Sequence, residues 1–428
     1  MDSPRLRYYF FFLLPIITLV ALPFSSRSET LEEAWKTAAA VDHGLRSVYK
    51  TTKAAMQNLK SAKAGRLPGF SLESGYRLFD NETALIAAGS ELPTGEDKSF
   101  SYKATSSINL FTSGRISHGI DAAEFSLEAA RIDEKRALQD LKMEVAETYV
   151  TVLRMEHGVA VAKSHVESLK SHARDVENMH SQGFVASNDL LAARVALADA
   201  RQQALQAENR LDIARSDYNR LLGRTLTSEV KLSELELEPP AEGLAALTEQ
   251  ALKQRSELKS LSRNIEALRH QAAMIRAAYG PQVTLSGGYS YIENSYQVNE
   301  KVWSAMIGVR WNLFDGGTAY HKSIAVERRA DSLFERYNDL KLAIALQMRQ
   351  AWLNVIESRR RVEVTRKALA QAEENLKVAK DRYQEGLDTN TVVLDAETLR
   401  TKSYGNHDNA VHDAMLAILR LRRVMNGL

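Results

Sequence analysis

Ile108-Asn109-Leu110-Phe111-Thr112-Ser113-Gly114 returns 203 residues later as Trp311-Asn312-Leu313-Phe314-Asp315-Gly316-Gly317. The same offset carries Tyr149 to Trp352 and Gly183 to Gly386, and it pairs Val145, Val152, Val159 and Val166 with Met348, Val355, Val362 and Leu369. Chance similarity does not hold one register over such a distance, so the chain is an internal duplication. The first structural repeat covers 29–224 and the second 244–428, with a linker at 225–243 that contains Pro239-Pro240. The spacing of the matched apolar positions is that of heptads, which predicts long paired helices.

Working outward from the match, both repeats read in one order. An Ala-rich helix is predicted over Leu31 to Ala64 and over Leu244 to Ala278, each ending near a proline, Pro68 or Pro281. Residues then alternate. Phe70, Leu72, Tyr76 and Leu78 fall on one face and Ser71, Glu73 and Arg77 on the other, as expected of a strand. Strands are predicted at about 69–79, 100–111, 282–292 and 302–313, lengths that suit a membrane barrel with aromatic residues near the strand ends. Residues around Asn81 to Asp97 make the first hairpin loop longer than the second. Past each Leu-Phe the pattern is helical from Gly114 to Gln182 and from Gly317 to Glu385, about 100 Å at 1.5 Å per residue. A turn at Gly183 or Gly386 follows, with Ser187, Asn188 and Asp189 or Asp388, Thr389 and Asn390 as capping residues, and a return helix runs to Leu222 or Met425. The fold class is therefore mainly α with a membrane β-barrel, built from a duplicated helix-strand-strand-helix-helix unit.

Composition narrows the function. The 428 residues carry 56 basic and 54 acidic side chains, a net charge of +2, which argues against nucleic acid as a partner. Absence of cysteine excludes disulfides, thiolate metal sites, cysteine nucleophiles and a lipid anchor on cysteine. Arg5 and Arg7, the apolar run Tyr8 to Phe24, and Ser26 and Ser28 describe a secretory signal peptide over 1–28. Ser47-Val48-Tyr49-Lys50 fits a Ser-x-x-Lys pattern, but its companion motifs are missing, and no phosphate-binding glycine loop is present. An enzyme is not expected, nor is a cofactor or a metal. His157, His165, His172 and His180 recur at steps of 8, 7 and 8, too far apart to share an ion, and are expected to form a solvated face.

Four strands cannot close a barrel, which needs about 8 at the least, so the protein must oligomerise. Order, duplication, Leu-Phe-Asp-Gly-Gly at 313–317 and Leu-Leu-Gly at 221–223 together resemble the TolC-like outer-membrane efflux proteins. Gln182 to Leu190 and Tyr383 to Gly386 with Val393-Leu394-Asp395-Ala396 are similar to that family's two helical tips. The resemblance implies a homotrimer in the outer membrane of a Gram-negative bacterium, with a 12-stranded barrel among lipids and a helical tunnel projecting into the periplasm. It further implies a passive exit duct for an efflux pump or a secretion ATPase of the inner membrane, docked through a periplasmic adaptor protein. By the same resemblance Asp395, Asp189 and Tyr383 would surround the periplasmic constriction; Asp388, seven residues before Asp395 and so on a similar helix face, would join them, and three copies of Asp388 and Asp395 would make it prefer cations. Gly183, Phe184, Val185, Gly386 and Leu387 would form the adaptor-docking tips, the glycines lacking room for a side chain. Two departures stand out. Asn109 and Asn312 precede the Leu-Phe pairs where relatives often have Pro, and Asp388 stands where the family's best-studied member has an arginine that latches the closed tunnel. The competing reading is a periplasmic coiled-coil scaffold without a pore. It accounts for the heptads but not for four alternating, aromatic-ended strands.

Overall fold

The computed structural model describes residues 28–428; the signal segment expected over 1–28 lies, except for Ser28, outside them. The first repeat contains α1 (Leu31–Val41), α2 (His43–Ala64), β1 (Gly69–Leu78), β2 (Thr83–Ala87), β3 (Ser90–Gly95), β4 (Lys98–Phe111), α3 (Arg115–Ser181) and α4 (Ser187–Leu221). The second contains α5 (Leu244–Gln254), α6 (Ser256–Arg276), β5 (Gln282–Ile292), β6 (Lys301–Arg310), α7 (Thr318–Gln384) and α8 (Asn390–Val424). Among the described residues no helix is long and apolar enough to cross a membrane.

The strands form one antiparallel sheet in the order β1-β4-β5-β6. Register keeps chemistry on separate faces. Leu72 lies opposite Ala104, Ala104 opposite Tyr289 and Tyr289 opposite Trp303, an apolar line across all four strands. One residue along, Ser71, Thr105, Gly288 and Ser304 make the corresponding polar line. Among the described residues nothing covers the apolar face at Leu72, 75% exposed, or at Trp303, 80% exposed. Among the described residues both outer strands, β1 and β6, leave one edge without a partner. The long loop of the first hairpin folds into its own small sheet, β2 with β3. Strand β6 stops at Arg310, short of the expected 313.

Each strand-to-helix passage is a tight turn through two successive left-handed residues. Ser113 and Gly114 have φ of +52° and +87°, and Gly316 and Gly317, 203 residues on, have +69° and +82°. A register slip at Leu110 releases β4 just before this turn, as a bulge does.

Helices α3 and α7 have 67 residues each, whereas their return helices α4 and α8 have 35. The return helix therefore accompanies only the half of the long helix nearest the turn. Along the other half, α2 and α6 take its place against α3, and α6 also packs on α7. The expected single helices over 31–64 and 244–278 are each broken in two. Asp42 adopts an extended conformation and accepts from the Leu45 amide at 2.5 Å, capping α2 while it ends α1. Arg255 interrupts the second repeat at the equivalent place; its guanidinium binds the Val424 carbonyl at 2.9 Å and Glu257 at 2.9 Å. A buried arginine on the carboxyl end of α8 also complements that helix's dipole.

The linker is a packed strap. Val230 is buried and Leu232, Leu235 and Leu237 rest on the core of the first repeat. There Glu29 is pinned by Arg224 at 2.6 and 2.9 Å, by Tyr218 at 3.0 Å, and through its carbonyl by the Tyr149 hydroxyl at 2.7 Å. Burial raises the hydroxyl pKa of both tyrosines, so they stay donors.

Candidate functional site at the helical tips

Both tips are built the same way. In the first, the Gly183 amide donates to the His180 carbonyl at 2.9 Å and the Phe184 amide to that of Met179 at 2.9 Å. In the second, Gly386 donates to Tyr383 at 3.0 Å and Leu387 to Arg382 at 2.8 Å. This pair of bonds is the Schellman cap, which needs a left-handed residue, and the glycines have φ of +81° and +75°. Their expected lack of room is corrected by the structure: a Cβ on either would meet nothing within 4 Å. Glycine is required by backbone conformation, not by crowding. The cap turns the following side chain outward, so Phe184 is 73% exposed and Leu387 62%, an apolar pair at the extremity of the molecule. Val185 is half-buried against the tip core.

The four candidate constriction residues are not brought together as one set. Asp189 is half-buried in the first turn of α4. Tyr383 is buried in the tip core, 5% exposed, with its hydroxyl lacking a partner among the described residues; burial, then the charge of nearby Asp189, raises its pKa. Asp395 is exposed on α8. Asp388 precedes the helix, whose N-cap is Thr389, so the heptad relation to Asp395 does not hold. Its carboxylate instead takes a hydrogen bond from Arg382 at 2.8 Å within the same tip. The capping expectation also changes: Ala186 and Thr389 occupy the N-cap positions, and neither makes a side-chain cap.

A different residue joins the two tips. Asn390 donates to the Asp189 carbonyl at 3.1 Å, and its amide oxygen lies 2.7 Å from Nε2 of His172. His172 is 3% exposed and His165 9%, which overturns the solvated histidine face for these two. Burial lowers the pKa of His172 and keeps the ring neutral.

Further along α8 lies a group that the sequence reading missed. The Glu397 carboxylate is fully buried. Lys380 of α7 lies 2.7 Å away, Arg400 3.1 Å and His165 of α3 3.8 Å, and the Ser168 hydroxyl donates to it. Burial pushes this carboxyl up, but His165, Lys380 and Ser168 together hold it down at about 2. Its partners lie on helices from both repeats, so the tip half is tied across the duplication by charge as well as by apolar packing.

The chain matches the family described as outer membrane efflux protein over residues 35–224 and 247–427, one segment per repeat. It is 24% identical to the outer membrane protein TolC of Vibrio cholerae over 440 residues, covering 97% of this chain and 95% of that protein. It is also 24% identical to the outer membrane protein OprJ of Pseudomonas aeruginosa, covering 83% of this chain and 75% of that one. In fold it is similar to the outer membrane protein VceC of Vibrio cholerae, with a TM-score of 0.80 at 18% identity over 93% of this chain and 96% of that one. The Campylobacter jejuni channel CmeC gives 0.79 at 16% identity over 99% and 94%. A poreless periplasmic scaffold is thereby set aside, and the chain belongs to the outer membrane efflux protein family, the export channels of the Gram-negative outer membrane.

Proposed function

We propose that three copies of this chain, exported by a signal peptide cut after Ser28, close one 12-stranded barrel in the outer membrane. Their helices continue it as a tunnel through the periplasm. The observation that carries this reading is the four-stranded sheet with an apolar face, a polar face and two unpaired edges, β1 and β6. An open edge is a template for another strand, and an uncovered apolar face suits lipid. Joining β6 of one copy to β1 of the next satisfies both edges and puts the polar line Ser71, Thr105, Gly288 and Ser304 on the lumen. The helical layer needs lateral neighbours too. Leu191, Val195 and Leu205 on α4, and Leu342, Leu346 and Val364 on α7, are exposed by 56% or more. Three copies bring such faces together and remove them from water.

In this assembly the duct is passive. Energy comes from an inner-membrane pump or secretion ATPase, reached through a periplasmic adaptor seated at the tips formed by Gly183, Phe184, Val185, Gly386 and Leu387. Exposed Phe184 and Leu387 supply the apolar anchors such a contact needs. Asp395 and Asp189 border the opening with negative charge, and the link from Asn390 to Asp189 holds the tips closed without the family arginine. Planar-bilayer recording on the detergent-extracted protein tests the duct: cation-preferring channels support it, and a protein that osmotic shock releases and that conducts nothing overturns it.

A further inference from the structure

His118 and Asp121 are three residues apart on α3 and so share a face of that helix. His270 of α6 meets them from the neighbouring helix. Its Nδ1 lies 3.4 Å from Nδ1 of His118 and 3.4 Å from Oδ2 of Asp121, and ligand atoms from all three fall within 4.8 Å of one another. A tetrahedral ion with bonds of about 2.0–2.1 Å holds its ligand atoms about 3.3–3.4 Å apart. Two edges of that tetrahedron are therefore present.

We propose that His118, Asp121 and His270 bind one divalent transition cation of the zinc type, stapling the first repeat to the second beside the barrel. Two imidazoles select such an ion over magnesium or calcium, which prefer oxygen. The His270 and Asp121 side chains are 29% and 44% exposed, so an ion can enter without unfolding and water can complete the shell. The ring of His270 is also positioned from behind. Phe125 packs on it with centroids 5.3 Å apart, and Arg263 covers Phe125 at 5.7 Å while pairing with Glu128 at 3.0 Å. His118 is set by the turn out of β4, where a side chain at Gly114 would meet its ring at 3.2 Å. The second repeat cannot form a twin. His321 matches His118 at the offset of 203, but Ile324 replaces Asp121, so one site per chain is expected.

The test uses untagged full-length protein in detergent, stripped with chelator and titrated with Zn²⁺ against a fluorescent zinc indicator. One zinc per chain is expected, with affinity reduced about 100-fold or more in His118→Ala and His270→Ala. His157→Ala, which removes an imidazole elsewhere, should bind as the unaltered protein does. Asp121→Asn keeps the shape of the site and should also bind more weakly, and zinc should raise the melting temperature of the unaltered protein but not of His270→Ala. Circular dichroism without zinc establishes that each variant is folded. X-ray absorption should show two imidazoles on the ion. Absence of stoichiometric zinc from the unaltered protein, or an affinity in both histidine variants equal to that of the unaltered protein, overturns the proposal.

Discussion

Glu397→Gln is the substitution whose effect can be worked out most fully. The carboxylate is buried among Lys380, Arg400, His165 and Ser168, and glutamine keeps its shape while removing its charge. Held at about 2 against an ordinary value of 4.5, the group contributes about 3 kcal/mol at neutral pH, at 1.36 kcal/mol per tenfold change in proton affinity. The sign follows from the depressed value: the contribution is complete above about pH 4.5 and is lost as pH falls toward 2. Loss of a partner from a buried charge cluster costs a similar ~3–5 kcal/mol, because Lys380 and Arg400 would face a neutral amide. The effect should be local to the tip half. Amide hydrogen exchange at pH 7 over 372–404 should therefore speed up roughly 100-fold in the variant, while β1, β4, β5 and β6 keep their protection. Protection in the unaltered protein should fall below pH 4.5 with a step that the variant lacks. A change of less than about threefold at the tips, or an equal acceleration in β1, β4, β5 and β6, would refute a cluster that locks the tip half.

Gly183→Ala and Gly386→Ala should each cost about 1–2 kcal/mol through the left-handed backbone, read as a lower melting temperature of the protein. Because the space around both is open, Gly183→Leu should cost little more than Gly183→Ala; a much larger loss would restore the crowding explanation. His172 faces Asn390, Lys380, Asp175 and Glu397, and its lowered pKa means that acid must charge a buried ring. Tip protection should thus weaken as pH drops below the ordinary histidine value of about 6.5, and His172→Gln should flatten that response in hydrogen exchange. In planar bilayers Asp395→Asn should reduce cation preference more than Asp388→Asn, since Asp388 already neutralises Arg382. Equal effects would mean that both carboxylates face the opening.

Periodic features were legible in the sequence. The offset of 203 residues located both long helices to within a residue or two, because heptads, alternation and glycine caps are local signals. The breaks at Asp42 and Arg255 were not read, since neither has a proline or glycine at the break itself; Asp42 ahead of the next turn was the available sign. His165 and His172 were read as solvated because histidine is polar, yet their steps of 7 and 8 are seam spacing. What makes burial tolerable, Thr401 at 2.9 Å and Asn390 at 2.7 Å, lies more than 200 residues away. Glu397 was hidden for the same reason: its partner Lys380 is near in sequence, but Ser168 and His165 belong to the other repeat. At the tips the residue type was read correctly and its cause was not, since sequence shows that glycine is needed but not whether φ or space demands it.

The claim on which all else depends is that the open sheet closes by adding two further copies of itself. Native mass spectrometry of the protein extracted from the outer membrane in detergent measures this directly. A single species with three chains is predicted, since three sheets of four strands satisfy every edge. A stable monomer or dimer, with β1 and β6 left open, would contradict the account.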